Sequence, residues 1–266
     1  MTPRLDAALA ARGLARSRTH AATLIAQGLV NVDGRTVVKS STQVSDDAGL
    51  EVAAADHYVS RAAHKLIAAL DTFGIDVAGR ISLDVGASTG GFTQVLRERG
   101  AAPVVALDVG HDQLADTVRA DPQVICVEGF NVRELSAGAF ADVSGLTAPP
   151  SVVTGDLSFI SLALVLPALA ATAAYDADFL LLVKPQFEVG RTAVKGGLVT
   201  SAALRADAVN GVLWRAWDAG LGTRGVIASP LVGTHGNAEY VAWFRRGEGG
   251  TPAEWSGTVD RLTGVA

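Results

Sequence analysis

The sequence predicts a doubly wound α/β domain behind a small α+β module, and three observations carry that prediction. Near-continuous apolar runs recur at 81–85, 103–108, 123–127, 151–155, 179–184 and 224–229, with helix-like segments between most of them. Strands that read as unbroken apolar runs belong to parallel sheets covered on both faces. The first run ends in a glycine-rich turn, Gly86-Ala87-Ser88-Thr89-Gly90-Gly91, at the strand end where such sheets receive ligands. Residues 1–40 differ in pattern and charge: Arg4, Arg12, Arg16, Arg18, Arg35 and Lys39 stand against only Asp6 and Asp33, in a chain of formal net charge −5.

The elements of the N-terminal module follow in order. Leu5, Leu9 and Leu14 have helical spacing ending near Gly13. Ser17 is an N-cap candidate for a second helix, whose Ala21, Leu24 and Ile25 share one face and which stops at Gly28. Leu29–Val32, the turn Asp33-Gly34 and Thr36–Val38 read as a hairpin, with a further strand near Leu50 to Val52. The low-apolar stretches after Asp46 place the domain boundary near His57: a module over 1–56, a linker over 57–60, a large domain over 61–247 and a C-terminal tail over 248–266. The large domain opens with a helix from Arg61 through Leu66, Ile67 and Leu70 to Phe73, ended by Gly74.

Composition narrows the function classes. With 49% hydrophobic and 18% charged residues, the chain can bury a sizeable core, which excludes disorder. Cys126 is the one cysteine, so no internal disulfide or Cys-rich metal site is expected; between Ile125 and Val127 it reads as core packing on a buried strand. Met1 to Leu14 carries no apolar signal region, and Ile160 to Ala174 is short for a membrane span, contains Pro167 and reads as a buried helix. A soluble, cytoplasmic, monomeric protein without a membrane partner is expected. Net acidity argues against nucleic acid, but the basic asymmetry of residues 1–40 is what a small RNA-facing module on a catalytic body would show.

The chemistry-bearing residues sit at strand ends. The glycines after Leu83-Asp84-Val85 let the backbone turn sharply and approach a ligand. Asp108 ends the second strand about 20 residues later, where a carboxylate accepts from ribose hydroxyls of either a nicotinamide or an adenosyl cofactor. Asp156 follows the fourth strand in Gly155-Asp156-Leu157-Ser158-Phe159-Ile160-Ser161-Leu162, and Lys184 ends the fifth in Lys184-Pro185-Gln186-Phe187-Glu188. An ammonium at the end of so apolar a strand needs partners. Activating a hydroxyl needs proton removal or a positive charge beside the developing alkoxide, with the reacting atoms held in line. Glu239 in Gly236-Asn237-Ala238-Glu239-Tyr240 and Lys65 on the first helix complete a set of four, although spacing alone reads Lys65 as a helix-surface lysine and Glu239 as a surface acid at a strand start. Glu188 is secondary, His64 and His235 are too weak a signal for bases, and Arg191 and Lys195 are placed to grip RNA phosphate.

Four resemblances add to these readings. Residues 4–44, with their Gly-Leu, Ser-Arg and Gly-Leu-Val-Asn-Val-Asp-Gly landmarks, resemble an S4 domain, which implies RNA contact by Arg4, Arg16, Arg18, Arg35 and Lys39. The loop Asp84–Thr93 resembles motif I of the Rossmann-like methyltransferases. That implies S-adenosyl-L-methionine as cofactor, held by Asp84, Gly86, Ala87, Ser88, Gly90, Gly91, Phe92 and Asp108, with Asn131 at the adenine. The order Lys65, Asp156, Lys184, Glu239 resembles the tetrad of the FtsJ-like ribose 2′-O-methyltransferases. Over nearly residues 4–246 the chain resembles the TlyA, or haemolysin A, family. This implies 2′-O-methylation of cytidine in 16S rRNA, 23S rRNA or both within ribosomal subunits, with Lys65, Asp156, Lys184 and Glu239 catalytic and no metal. Phe130 stands where the family tends to carry Thr, and Ala62 follows Arg61 where glycine is common. The rival readings are a non-catalytic RNA-binding or assembly factor and a pore-forming haemolysin. A nicotinamide oxidoreductase is disfavoured because the loop is not G-x-G-x-x-G.

Overall fold

Two sheets organise the chain in a computed structural model that describes residues 2–26, 28–52, 57–190, 194, 196–233 and 236–265. The N-terminal module has helices α1 (Leu5–Ala11) and α2 (Arg18–Ala26) and strands β1 (Val30–Val32), β2 (Arg35–Thr36) and β3 (Leu50–Val52), in an antiparallel sheet of order β2-β1-β3. Ser17 Oγ accepts from His20 N at 3.1 Å, capping α2 as its sequence implies. Asp33 and Gly34 take φ of 49° and 75°, the left-handed pair of a tight two-residue hairpin turn. Asp33 Oδ1 also accepts from Gly49 N at 2.8 Å, which ties β3 to the hairpin. The second hairpin strand is shorter than expected. After Val37 N bonds Val30 O, the chain leaves the sheet to cover α1, where Asp6 N donates to Ser40 O. Leu5, Leu9, Ile25 and Val30 are fully buried between helices and sheet.

The large domain runs α3 (Ala63–Phe73), β4 (Ser82–Val85), α4 (Gly91–Glu98), β5 (Val104–Leu107), α5 (Asp116–Arg119), β6 (Val124–Val127), α6 (Ala137–Ser144), β7 (Val152–Gly155), α7 (Leu166–Thr172), β8 (Asp178–Val183), α8 (Pro185–Glu188), α9 (Ala202–Asp218), β9 (Leu221–Ala228), β10 (Tyr240–Arg246) and α10 (Pro252–Thr263). The sheet order is β6-β5-β4-β7-β8-β10-β9. Strand β8 shows why its sequence is apolar throughout. Phe179, Leu181 and Val183 face one core, with Leu166, Leu169, Val209 and Leu213, while Leu180 and Leu182 face the other, with Leu66, Leu70 and Leu96.

Three expectations need correction. The sheet is mixed rather than parallel, because β10 pairs antiparallel with both β8 and β9. Only a short connection separates the end of β9 from Tyr240, with no crossover helix to return the chain. The segment read as a tail carries α10, which starts with a Thr251–Glu254 capping box and buries Val259 completely in the main core. Cys126 is only half-buried, because β6 lies at the sheet edge and has one neighbouring strand.

Candidate active site

The loop from β4 to α4 is shaped by backbone that glycine favours. Gly86 has φ 77°, and a Cβ there would stand 3.0 Å from Leu157 Cδ2 and 3.2 Å from Asp156 O, so the loop lies directly on the segment after β7. Beneath it Asp84 is completely buried and accepts from Thr93 Oγ1 at 2.7 Å and Thr154 Oγ1 at 2.9 Å. Burial pushes its carboxyl up to about 6, against the opposing pull of the two hydroxyls.

Two adjoining cavities open at this edge. One of about 790 Å³ is lined by Gly86, Ser88, Asp108, Phe130, Asn131, Asp156 and Phe159, among others. One of about 160 Å³ is lined by Ser60, Ala87, Gly91, Phe92 and Lys184, among others. Gly86, Ser88, Asp156 and Ser158 line both. Asp84 and Gly90 line neither. The Asp84 carboxylate is turned to the two threonines, and Gly90, at φ 97°, is packed so tightly on Leu114 that a Cβ would approach it to 2.8 Å. Asp108 accepts from Ser88 N and Gly110 N, both at 2.8 Å, which fixes the carboxylate at the rim with lone pairs left for hydroxyls. Asn131 Oδ1 accepts from Arg133 N at 3.1 Å, leaving the amide nitrogen as the group available to a base edge. A long cavity with a fixed ribose-type acceptor and a glycine cradle fits S-adenosyl-L-methionine.

The four residues singled out by sequence converge on one point. Lys65 Nζ lies 2.7 Å from Glu239 Oε2 and 3.2 Å from Asp156 Oδ2; Lys184 Nζ lies 2.6 Å from Asp156 Oδ1 and donates to Ser158 Oγ at 2.8 Å. Lys65 is not the surface lysine that spacing suggests: it is 5% exposed and Glu239 is 4% exposed. Two cations and two carboxylates balance, which is what allows all four to be withdrawn from water. Burial alone would raise the Asp156 carboxyl, but the two ammonium groups override it and hold it below the ordinary range. Asp156 and Lys184 line the cavities, whereas Lys65 and Glu239 stand behind them. Gly233 makes room for the last: a Cβ there would overlap Glu239 Oε1.

Sequence reasoning missed two parts of the site, Ser158 and Phe159, and rated a third, Glu188, as secondary. Ser158 is the partner of Lys184. Phe159 holds φ 64°, is 92% exposed at the cavity mouth and packs on Phe187 with ring centroids 5.3 Å apart. Glu188 accepts from Ser161 Oγ at 2.5 Å and Leu162 N at 2.9 Å, and its burial raises its carboxyl above the ordinary range. An exposed aromatic inside the run Asp156-Leu157-Ser158-Phe159 was the available signal.

In the N-terminal module Arg4, Arg16, Arg18, Arg35 and Lys39 are all exposed. Arg4 and Arg18 share Asp6, at 3.0 and 3.2 Å. Among the described residues Arg16, Arg35 and Lys39 have no ion-pair partner. Lys195, Arg191 and His235 lie outside the described residues. The module meets the large domain where the Arg61 side chain fills the space beside Gly28, leaving no room for a Cβ. Burial lowers the Arg61 pKa, opposed by the nearby charges of Glu239 and Asp156. Among the described residues, no helix is long and apolar enough to cross a membrane.

The model of the FtsJ-like methyltransferase family matches residues 58–246, and that of the S4 domain matches residues 3–51. The chain is 53% identical over 245 residues to the 16S/23S rRNA (cytidine-2′-O)-methyltransferase TlyA of Mycobacterium tuberculosis, covering 91% of this chain and 89% of that one. It is 38% identical over 242 residues to Hemolysin A of Brachyspira hyodysenteriae, covering 91% and 99%. A solved structure of a Streptococcus thermophilus protein described as a hemolysin superposes with a TM-score of 0.76 at 33% identity, over 99% of this chain and 94% of that one. The chain therefore belongs to the TlyA family, an S4 domain joined to an FtsJ-like methyltransferase.

Proposed function

We propose that this protein transfers the methyl group of S-adenosyl-L-methionine to the ribose 2′-hydroxyl of a cytidine in 16S or 23S rRNA. The observation that carries the reading is the buried, charge-balanced cluster of Lys65, Asp156, Lys184 and Glu239 at the wall shared by the two cavities. The cofactor, when bound, supplies an already activated methyl group. What remains for the chain is to hold a weak nucleophile in line and to stabilise its charge as its proton passes to Asp156 and on to solvent. Asp156, kept ionised by two ammonium groups, accepts from the ribose hydroxyl and orients it. Lys184 forms an ion pair with Asp156 Oδ1 and gives one N–H to Ser158, which leaves donor capacity for the hydroxyl oxygen as it becomes an alkoxide. Lys65 and Glu239 act through Asp156 by fixing its position and charge.

The substrate reading draws on the family and on the exposed cations of the S4 module, which suit an RNA backbone. The test is methyl transfer from labelled S-adenosyl-L-methionine to small and large ribosomal subunits that lack the modification. The expected product is 2′-O-methylcytidine, located by mass spectrometry of digested 16S and 23S rRNA. Cofactor binding without incorporation into either subunit would overturn the reading and favour a non-catalytic RNA-binding factor.

A further inference from the structure

The two segments that carry Asp156 and Lys184 meet along their whole length, not only at that ion pair. Lys184 is the extended residue that leads into α8, at φ −114° and ψ 101°, and Phe187 and Glu188 lie on the single helical turn that follows it. In that order they engage Asp156 with Ser158, then Phe159, then Ser161 with Leu162. The strand side of this segment is set by β7, from which Asp156 N donates to Val85 O at 3.3 Å. Its far end is held by Glu188, which takes the Ser161 hydroxyl on one oxygen and the Leu162 amide on the other. Between the two anchors lies Phe159 at φ 64°, a conformation that an aromatic residue adopts only when its surroundings enforce it.

We propose that Glu188 is a positioning residue for methyl transfer: it closes a clasp that keeps Asp156 and Ser158 in register with Lys184. The inference rests on the functional reading above, since it assigns Glu188 to the same site. The carboxylate lines neither cavity, so it acts through the segment it holds. Without it, residues 157–161 lose their second anchor, Phe159 relaxes, and Ser158 leaves Lys184. Leu157 to Ser161 also line the larger cavity, so a displacement of that kind costs some cofactor affinity, but turnover falls further because Asp108 and the backbone of the glycine loop belong to other segments.

The test compares Glu188→Ala, Glu188→Gln and Ser161→Ala in the full chain. Glu188→Ala is expected to lower kcat about 10- to 100-fold, with KM for ribosomal subunits and calorimetric affinity for S-adenosyl-L-methionine changed far less. Glu188→Gln retains an acceptor for the Leu162 amide and is expected to recover most of kcat. Ser161→Ala removes one arm of the clasp, is milder to the fold, and is expected to lose less activity in the same direction. Hydrogen exchange at the Leu162 amide is expected to quicken in Glu188→Ala, an outcome independent of activity. Unchanged exchange there would overturn the clasp whatever the wild-type protein methylates, whereas a wild-type protein that methylates neither subunit refutes the functional reading instead. Wild-type kcat in Glu188→Ala, loss of cofactor affinity in proportion to kcat, or no recovery in Glu188→Gln would each overturn the positioning role.

Discussion

In the S4 module Asp6 bridges Arg4 and Arg18, whose side chains remain 47% and 61% exposed; in the large domain Asp156 bridges Lys65 and Lys184, whose side chains are 7% and 9% exposed. Both carboxyls titrate below the ordinary range. Asp6 falls to about 2, chiefly through the hydrogen bond from Arg4, and Asp156 falls in spite of its burial. The same arrangement of two cations over one aspartate serves opposite ends. In the module the shared carboxylate is itself buried, at 8% side-chain exposure, but its two guanidinium groups lie in solvent, where salt weakens their hold and they can add a phosphate to the carboxylate they already share. In the interior the pairing is unscreened, so geometry is fixed and removal of one partner strands the others. Surface cations therefore contribute by number and placement, and buried ones by position.

The largest expected effect tests the buried end of this comparison. Lys184→Ala should lower kcat by about a thousandfold, the scale of losing a donor aimed at developing charge. Its affinity for S-adenosyl-L-methionine, measured by calorimetry, should stay within a few-fold of wild type. Lys65→Ala should lose activity as well, but with a larger fall in unfolding free energy, because it strips the buried Glu239 of its ion-pair partner and leaves the charge of Arg61 to offset it. Equal destabilisation by the two variants would erase the distinction between a lysine that faces the cavity and one that stands behind it.

A buried carboxyl with no cation sharpens the comparison by reversing its sign. Among the described residues Asp84 has only threonine donors, and its folded pKa of about 6 lies above the 3.8 of an ordinary aspartate. Its contribution to stability is therefore fully present below the unfolded pKa and is lost as pH rises through about 6. The difference is on the order of 3 kcal/mol. Asp156 and Asp6, whose pKa values are lowered, run the other way: their stabilisation is present above the unfolded pKa and is lost as pH falls. Asp84→Asn should gain stability relative to wild type between pH 4 and pH 7 in denaturant titrations, and a flat difference would mean that the threonines already compensate the buried charge.

Much of this organisation was legible in the sequence. The S4 helices, the Asp33-Gly34 hairpin and all five parallel strands from β4 to β8 follow from periodicity and turn chemistry, which are local. Of the tetrad, Asp156 and Lys184 were legible as residue types at strand ends, whereas Lys65 and Glu239 entered only through the family resemblance, because their pairing spans 174 positions and no local rule announces it. The antiparallel β10 was missed since an apolar run does not declare its direction. Asp84 was misread as a ligand contact because a strand-end carboxylate looks the same whether it faces a cavity or two buried hydroxyls. Gly233 carried no signal at all, yet its missing side chain is what admits the Glu239 carboxylate. Gly233→Ala should therefore displace Glu239 from Lys65 and cost about tenfold in kcat, less than Lys184→Ala, with RNA affinity unchanged in a filter-binding assay.

The smallest expected effect lies at the exposed end. Arg35 sits on β2 beside the hairpin turn, is exposed and has no ion-pair partner among the described residues, so it can meet a phosphate without giving up a protein contact. Removing one such contact should lower RNA affinity only a few-fold and reduce the slope of log K against log salt by about 0.7–0.9. Arg18→Ala should change that slope more than Arg35→Ala, because it removes a cation and also leaves Asp6, held then by Arg4 alone, to repel phosphate. That residual repulsion makes Arg18→Ala the more costly variant at low salt, and the two affinity curves should draw together as salt screens Asp6. Curves that stay parallel across the salt range would mean that Asp6 does not govern how the module presents its arginines, and the likeness between the two aspartate bridges would then be one of shape alone.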